Sequence, residues 1–111
     1  MKNYKFHADA GHGWLAVKVD ELCRLGIEYD ISQFSYIKGK TAYLEEDCDL
    51  ARFMDAKESV GEPVYFADSV NRSNYSPIRS YDSYTAGRVS KLLASEEDRS
   101  TQWRYLHRKY G

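Results

Sequence analysis

Alternating apolar and polar positions open the chain. Residues 4–7 alternate aromatic and polar side chains, and residues 14–19 are rich in aromatic and β-branched side chains. Between them, residues 9–13 have the composition of a turn, in which Gly11 and Gly13 can take positive φ. The pattern predicts two short strands that pair antiparallel.

Helical spacing follows the second strand. Asp20 is a residue type that caps helix N-termini, and Leu22 and Leu25 lie three positions apart, on one side of a two-turn helix. Gly26 is the residue type that ends helices in a left-handed conformation. A helix this short is not stable alone, so we expect it to dock on the sheet.

A hairpin and a longer helix occupy the middle of the chain. Residues 34–37 and 41–44 are β-prone runs around a short loop with a glycine, which predicts a hairpin. The next helix ends at Gly61, because Pro63 cannot continue it, and residues 64–66 predict a further strand. The apolar stripe of this helix consists of Leu50, Phe53, Met54 and Val60.

The composition changes after residue 68. Residues 68–84 combine Ser and Asn with Tyr and Arg, which is typical of a loop anchored by aromatic rings. Residues 86–94 have helical spacing, and residues 95–98 resemble a capping box that starts another helix. We expect that last helix, over residues 96–110, to dock on an acidic surface of its own domain or of a dimer mate, with Trp103 as the anchor.

These elements predict an α+β fold: a small antiparallel sheet of four to five strands, with helices on one face and a C-terminal helical extension. We expect an α+β core at residues 1–70 and a Tyr/Arg/Ser-rich loop at residues 71–84. The remaining residues, 85–111, would form a C-terminal helical segment packed on the core or on a partner subunit.

Length and composition exclude several classes of protein. The chain has 111 residues, which suits one domain, and its 14% aromatic content argues against disorder. No apolar run reaches the about 18 residues of a membrane span, and the start lacks the apolar region of a signal peptide. Cys23 and Cys48 are too few for a disulfide framework. We therefore expect a cytoplasmic protein with no membrane partner and no cofactor.

The net charge of −1 hides an asymmetry along the chain. Residues 1–70 carry 8 Lys and Arg against 13 Asp and Glu, whereas residues 71–111 carry 8 against 4. Such a chain can bind itself, dimerise, or meet a charged partner with either part.

Two imidazoles and a carboxylate lie within six residues near the start of the chain. His7, Asp9 and His12 are residue types that bind zinc, and three protein ligands with an open position is the arrangement of catalytic zinc. Their spacing matches no established metal motif, however, and we favour a structural role for Asp9 and His12 in the turn. We assign no metal, and a metal-dependent hydrolase at this cluster is the third function considered.

Four carboxylates precede the longer helix. Acidic residues favour the positive N-terminal end of a helix, which explains their position. The alternative is an acidic face that imitates a nucleic-acid backbone toward a basic partner. The four residues are Glu45, Glu46, Asp47 and Asp49.

Arginines and tyrosines are interleaved in the last third of the chain. They suit a protein interface, where Tyr and Arg are common anchors, and single-stranded nucleic acid, through base stacking and phosphate contacts. A third explanation is that the rings pin the loop to its own domain. The candidate partner-binding residues are Arg72, Tyr75, Arg79, Tyr81, Tyr84 and Arg88, with Trp103, Arg104 and Arg108 in the last helix.

Three segments resemble a group of small uncharacterised proteins from bacteriophages, plasmids and other mobile elements of proteobacteria. They read Asp-Ala-Gly-His-Gly-Trp-Leu at 9–15, Tyr-Leu-Glu-Glu-Asp-Cys-Asp at 43–49 and Ser-Pro-Ile-Arg-Ser-Tyr-Asp-Ser-Tyr at 76–84. The resemblance covers about residues 4–84 and implies a context rather than a mechanism. Small mobile-element proteins without a catalytic signature are often inhibitors of host defence, including anti-CRISPR and anti-restriction proteins.

The first functional hypothesis is therefore a non-enzymatic interaction protein that binds a host protein or a nucleoprotein complex, as a host-defence inhibitor does. It rests on the absence of catalytic motifs, the split charge and the interleaved Arg and Tyr residues. The alternative is a small nucleic-acid-binding regulator, in which the basic region 72–109 contacts phosphates. A homodimer is compatible with both hypotheses.

Overall fold

A computed structural model describes residues 3–71 and 76–95 of the chain. Within these ranges it contains one sheet of six strands and three helices, which confirms the predicted α+β class. No helix in them is long and apolar enough to cross a membrane. In chain order the elements are β1 (Asn3–Ala8), β2 (Gly13–Lys18), α1 (Val19–Arg24), β3 (Tyr36–Lys38), β4 (Thr41–Glu45), α2 (Asp49–Ser59), β5 (Tyr65–Asn71), a 3₁₀ turn (Pro77–Ser80), β6 (Asp82–Ser83) and α3 (residues 86–95).

The sheet is mixed, and in this respect the predicted antiparallel sheet of four to five strands is corrected. The strand order is β5-β1-β2-β4-β3-β6, and all pairs are antiparallel except β1 with β5, which is parallel. Because β1 and β4 both pair antiparallel with β2, they point the same way. Helix α2 carries the chain from the end of β4 back across the sheet, so that β5 starts beside β1 and runs parallel to it.

All three helices contribute to a core on one face of the sheet, the inner face. The strand register places Leu15 opposite Leu44, and both side chains are fully buried there. Leu22 of α1, Phe53 of α2 and Val89 of α3 belong to the same hydrophobic cluster and are also fully buried. The helices therefore lie on one side of the sheet, as predicted.

Successive side chains along each strand point alternately to the inner face and to the opposite face of the sheet, which we call the outer face. Trp14 lies opposite Glu45, Ala16 opposite Tyr43 and Lys18 opposite Thr41 across the β2–β4 pair. The outer-face residues of the four central strands are Lys5, His7, Trp14, Ala16, Lys18, Tyr36, Lys38, Thr41, Tyr43 and Glu45. Among the described helices, none packs on this face.

A buried lysine joins α2 to α1. Lys57 is 2% exposed, and its Nζ donates to Glu62 Oε1 at 2.8 Å and to Glu21 Oε1 at 3.4 Å. Glu21 also accepts hydrogen bonds from Tyr4 and Arg24, at 2.6 and 2.8 Å. Burial alone would lower the pKa of Lys57, but its bonds to Glu62 and Tyr4 and the charge of Glu21 raise it above the ordinary value. Lys57 therefore stays charged inside the fold.

A buried carboxylate fixes the loop that precedes β3. Asp49, at the start of α2, accepts hydrogen bonds from Ser32 N at 3.0 Å, from Ser32 Oγ at 2.7 Å and from Ser35 Oγ. Ser35 Oγ in turn accepts a hydrogen bond from Glu45 N at 2.9 Å. Because Asp49 is fully buried, it does not belong to the predicted acidic face.

The predicted ends of helices α1 and α2 are confirmed, whereas two other local predictions are wrong. Gly26 and Gly61 have φ of 75° and 71° and follow α1 and α2. Asp20 lies in the first turn of α1 rather than at its N-cap, because the helix begins at Val19, two residues earlier than predicted, with Lys18 as the N-cap. Neither Gly11 nor Gly13 has positive φ. Gly13 is required for space, since a Cβ there would lie 2.4 Å from Phe6 Cζ.

Candidate functional site

A bidentate ion pair holds the segment of residues 76–84 against the β1–β2 turn. Arg79 donates from Nε and Nη2 to the two carboxylate oxygens of Asp9, at 2.6 and 3.0 Å. Asp9 also accepts hydrogen bonds from the backbone N–H groups of Gly11, His12 and Ser76, at 3.0, 3.0 and 2.9 Å. The Arg79 guanidinium, followed by these backbone groups, holds the pKa of Asp9 well below its usual range. Asp9 therefore organises the turn as a permanent anion.

The pair places the Arg79 guanidinium over an indole ring. Its Cζ lies 5.6 Å from the centre of the Trp14 ring, and the rings of Tyr36 and His12 lie 6.1 and 6.0 Å from it. Trp14 is 2% exposed, and its Nε1 has no hydrogen-bond acceptor among the described residues. A buried donor of this kind is costly unless something accepts from it.

These side chains line a cavity of about 480 Å³, which we call the aromatic–acidic cavity. It combines aromatic surface with carboxylates from the end of β4 and the following turn. Phe34 at this cavity is 68% exposed, although it is a large apolar ring. The lining residues are His12, Trp14, Gln33, Phe34, Tyr36, Glu45, Asp47, Cys48 and Arg79.

Three metal-ligating groups meet in this cavity. One ligand atom each from His12, Glu45 and Asp47 lies within 4.8 Å of the others, and His12 Nδ1 lies 3.9 Å from Glu45 Oε1. Glu45 Oε2 accepts a hydrogen bond from Asp47 N at 2.9 Å. Burial, more than any other factor, raises the pKa of the Glu45 carboxyl.

The histidines and Asp9 of the first segment do not come together as one ligand set. His7 lies on the outer face with its ring 5.7 Å from that of Tyr43, and the Asp9 carboxylate binds Arg79. His12 joins Glu45 and Asp47 instead, the single group of three such ligands among the described residues. Sequence reasoning missed this group because it depends on the register between β2 and β4. The predicted strands already contained Trp14 and the residues before Glu45, but nothing local assigned their pairing.

A second region of the outer face is basic and aromatic. The Tyr43 and Tyr81 rings lie 5.2 Å apart, and Lys38 Nζ lies 4.7 Å from the centre of the Tyr81 ring. Lys18 Nζ donates to Thr41 Oγ1 at 3.3 Å. We call this region the lysine–tyrosine surface, and it consists of Lys5, His7, Lys18, Lys38, Tyr43 and Tyr81.

The lysines of this surface form no ion pair with a described carboxylate. Lys5, Lys18 and Lys38 are all exposed, and within the described part of the chain none of them forms an ion pair with a carboxylate. Tyr43 is half-buried, and this burial raises the pKa of its hydroxyl. A concavity of about 480 Å³ runs over Lys5, His7, Lys18 and Tyr43, and its lining also includes the buried Glu21, whose carboxylate binds Tyr4, Arg24 and Lys57.

The predicted partner-binding residues are distributed among several roles. Tyr84 is 1% exposed and donates its hydroxyl hydrogen to Glu28 O, so its ring is a core residue and not a contact for a partner. Arg88 Nη1 lies 3.3 Å from Asp82 Oδ2 in an exposed pair. Among the described members of this set, Tyr81 is the one that reaches the lysine–tyrosine surface. Arg72, Tyr75, Trp103, Arg104 and Arg108 lie outside the described residues.

Of the predicted acidic face, three carboxylates remain near the aromatic–acidic cavity. Glu46 and Asp47 are exposed in the turn after β4, and Glu45 is 8% exposed at the end of the strand.

The chain matches no protein-family model, and it matches neither a curated protein nor a solved structure.

Proposed function

We propose that this protein binds single-stranded nucleic acid with the lysine–tyrosine surface. The observation that carries the proposal is the arrangement of three exposed lysines around the Tyr43 and Tyr81 rings on the face opposite the helices. Lysines attract the phosphate backbone, and aromatic rings on a sheet stack with unpaired bases.

The tyrosine rings of this surface favour a single strand over a duplex. Tyr43 and Tyr81 stand on or against the central strands, where a base can reach a ring only if it is unstacked from its neighbours. A duplex hides the faces of its bases and would meet only the lysines. We therefore expect a preference for single strands with little sequence selectivity.

This proposal retains the nucleic-acid hypothesis but changes its residues. The sequence hypothesis assigned phosphate contacts to the basic region 72–109. In the described part of that region, Arg79 binds Asp9 and Arg88 pairs with Asp82, which reduces the charge that either offers to a phosphate. The lysines of β1, β2 and β3 have no such partner among the described carboxylates and are the better candidates.

The test is fluorescence anisotropy with labelled oligo-dT and oligo-U and with a duplex, over a series of salt concentrations. A variant with Lys5→Ala, Lys18→Ala and Lys38→Ala should bind more weakly. Its log–log salt slope should be smaller by about 2, since each phosphate contact on a single strand contributes about 0.7. A matched variant that also loses three cations, Arg52→Ala with Arg88→Ala and Lys91→Ala, should bind like the wild type.

Two results would overturn the proposal. One is that neither single strands nor duplex bind at low salt. The other is that the matched variant loses as much affinity as the lysine variant, which would favour the sequence-predicted basic region. Circular dichroism and thermal unfolding of both variants establish that each still folds.

A second candidate function, a protein partner, is favoured by a different observation. Strand β5 is at an edge of the sheet formed by the described residues, and Tyr65 and Phe66 on it are 45% and 53% exposed. An edge strand offers unpaired backbone groups to a strand of another chain. The host-protein, nucleoprotein, host-defence and homodimer hypotheses of the sequence stay predictions. Light scattering after gel filtration tests the homodimer, and a Phe66→Lys variant should then lose the dimer mass.

A further inference from the structure

We propose that His12, Glu45 and Asp47 form a binding site for a divalent cation of the first-row transition metals, for which zinc is the suitable probe. The inference does not depend on the proposed nucleic-acid function, since the two regions share no residue. It rests on three observations at the aromatic–acidic cavity: the ligand group itself, the fixed positions of its members, and an unsatisfied donor beside it.

The ligand group is assembled by the sheet rather than by chance proximity of surface chains. Trp14 pairs with Glu45 across β2 and β4, which brings the β1–β2 turn beside the end of β4. The His12 backbone is held at both ends, because its N–H donates to Asp9 Oδ1 at 3.0 Å and its carbonyl accepts from Asp9 N at 2.9 Å. Glu45 is held by burial and by its bond from Asp47 N.

The donor set suits a borderline ion. One imidazole nitrogen and two carboxylate oxygens are ligands that zinc and manganese accept, whereas magnesium and calcium prefer oxygen alone. Ligand atoms on one zinc ion stand about 3.3–3.5 Å apart, given bonds of about 2.0–2.2 Å. The ligand atoms of His12, Glu45 and Asp47 lie within 4.8 Å of one another, so they must move about 1 Å closer together to bind one ion. His12 and Asp47 are both exposed and can make that shift, while Glu45 is the fixed ligand.

The third observation is the unsatisfied indole N–H of Trp14, a residue that lines the cavity. Trp14 is only 2% exposed. Its Nε1 has no hydrogen-bond acceptor among the described residues. An ion with three protein ligands retains open coordination positions, which water or a small anion occupies. In the proposed site, such an oxygen on the Trp14 side of the ion would be the acceptor for the indole N–H, which has none among the described residues. The site would therefore bind the cation together with a small oxygen ligand.

The direct test is isothermal titration of the tag-free protein, purified without chelator, with zinc, manganese and magnesium chloride. We expect one zinc ion per chain and a higher unfolding temperature with zinc but not with magnesium. His12→Ala and Asp47→Asn should each weaken zinc binding by at least about 10–100-fold, the range for lesser changes around metal ligands. Both side chains are exposed, so these variants should fold normally.

Matched controls separate this site from adventitious binding. His7→Ala removes the histidine that lies on the lysine–tyrosine surface, and Glu46→Gln removes a neighbouring exposed carboxylate outside the group. Cys48→Ser removes the thiol that lines the cavity without belonging to the ligand group. All three should bind zinc like the wild type, and X-ray absorption should show a nitrogen and oxygen shell without sulfur.

Three outcomes would overturn the proposal. These are the absence of saturable zinc binding, zinc affinity unchanged in both His12→Ala and Asp47→Asn, or affinity lost in Cys48→Ser or Glu46→Gln. A Trp14 fluorescence change on zinc addition, measured in a Trp103→Phe background and absent in His12→Ala, would support the shared cavity.

Discussion

Arg79 binds Asp9 through two parallel hydrogen bonds, Nε to Oδ2 at 2.6 Å and Nη2 to Oδ1 at 3.0 Å, across 70 residues of sequence. The pair fastens the segment after β5 onto the turn between β1 and β2. In doing so it lays Arg79 over Trp14 and brings Tyr81 against Tyr43. The aromatic–acidic cavity and the lysine–tyrosine surface therefore each receive one side chain, Arg79 and Tyr81 respectively, from the segment that this ion pair holds.

Asp9→Asn and Arg79→Lys should both lower the unfolding temperature, because each breaks the two-bond geometry and a lysine cannot replace a planar guanidinium. Arg79→Lys keeps the charge and should cost less than Arg79→Ala. Thermal unfolding followed by circular dichroism measures the change. Arg88→Ala, which removes an exposed pair with Asp82, is the control and should change stability by at most about 1 kcal/mol. Equal unfolding temperatures for Asp9→Asn and the control would contradict the structural role of the pair.

Asp49→Ala should destabilise the fold by about 1.5–3 kcal/mol, since it removes the acceptor of charge-assisted bonds from the buried Ser35 and the partly buried Ser32. Urea unfolding measures this free energy. Asp55→Ala, at an exposed position of the same helix, should change it by less than about 0.5 kcal/mol. If the two variants were equally stable, Asp49 would be an ordinary helix N-terminal acid, as its sequence position alone indicates.

Glu62 should make the fold sensitive to acid. Hydrogen bonds from Arg24 and then Lys57 lower the pKa of Glu62 below its ordinary value. A carboxyl with a lowered folded-state pKa stabilises the fold at neutral pH, and this contribution is lost as the pH falls from the unfolded pKa through the folded one. Glu62→Gln should therefore be less stable than the wild type at pH 7, and the difference should shrink below about pH 4. Urea unfolding across pH measures it, and a difference that stays constant down to pH 2 would contradict this account.

Tyr43→Leu should weaken binding to oligo-dT by about 1–3 kcal/mol if the ring stacks on a base, while Tyr43→Phe should retain most of the affinity. The control is Tyr29→Leu, which removes an exposed tyrosine whose hydroxyl bonds to Ser90 of α3 on the helix side of the sheet. Anisotropy at one low salt concentration measures all three. Equal losses in Tyr43→Leu and Tyr29→Leu would count against stacking at the lysine–tyrosine surface.

Local physics made much of the fold predictable from the sequence. The β1–β2 pair, the hairpin of β3 and β4, and helix α2 all follow from side-chain periodicity over a few residues. Gly26 and Gly61 end their helices because a left-handed conformation costs glycine little. The α+β class and the one-sided placement of helices follow in turn, because short amphipathic helices must cover an apolar sheet face.

What only the tertiary structure decided is which distant groups meet. The sequence position of Asp49 indicates an exposed acid at a helix N-terminus, yet Asp49 is buried and accepts hydrogen bonds from two serines. The sequence position of Tyr84 indicates a contact for a partner, yet Tyr84 is a core residue. The direction of β5 was equally undetermined, because a crossover and a hairpin use the same local pattern.

The aromatic–acidic cavity and the lysine–tyrosine surface are likewise features that only the tertiary structure decided. His12 meets Glu45 and Asp47 through the register of β2 with β4, and the lysines of β1, β2 and β3 share a face only once the strands are paired. The sequence alone determined which residues have the chemistry to bind a cation or a phosphate. Their assembly is decided by long-range pairing, because a one-residue change of register would move each side chain to the opposite face of the sheet.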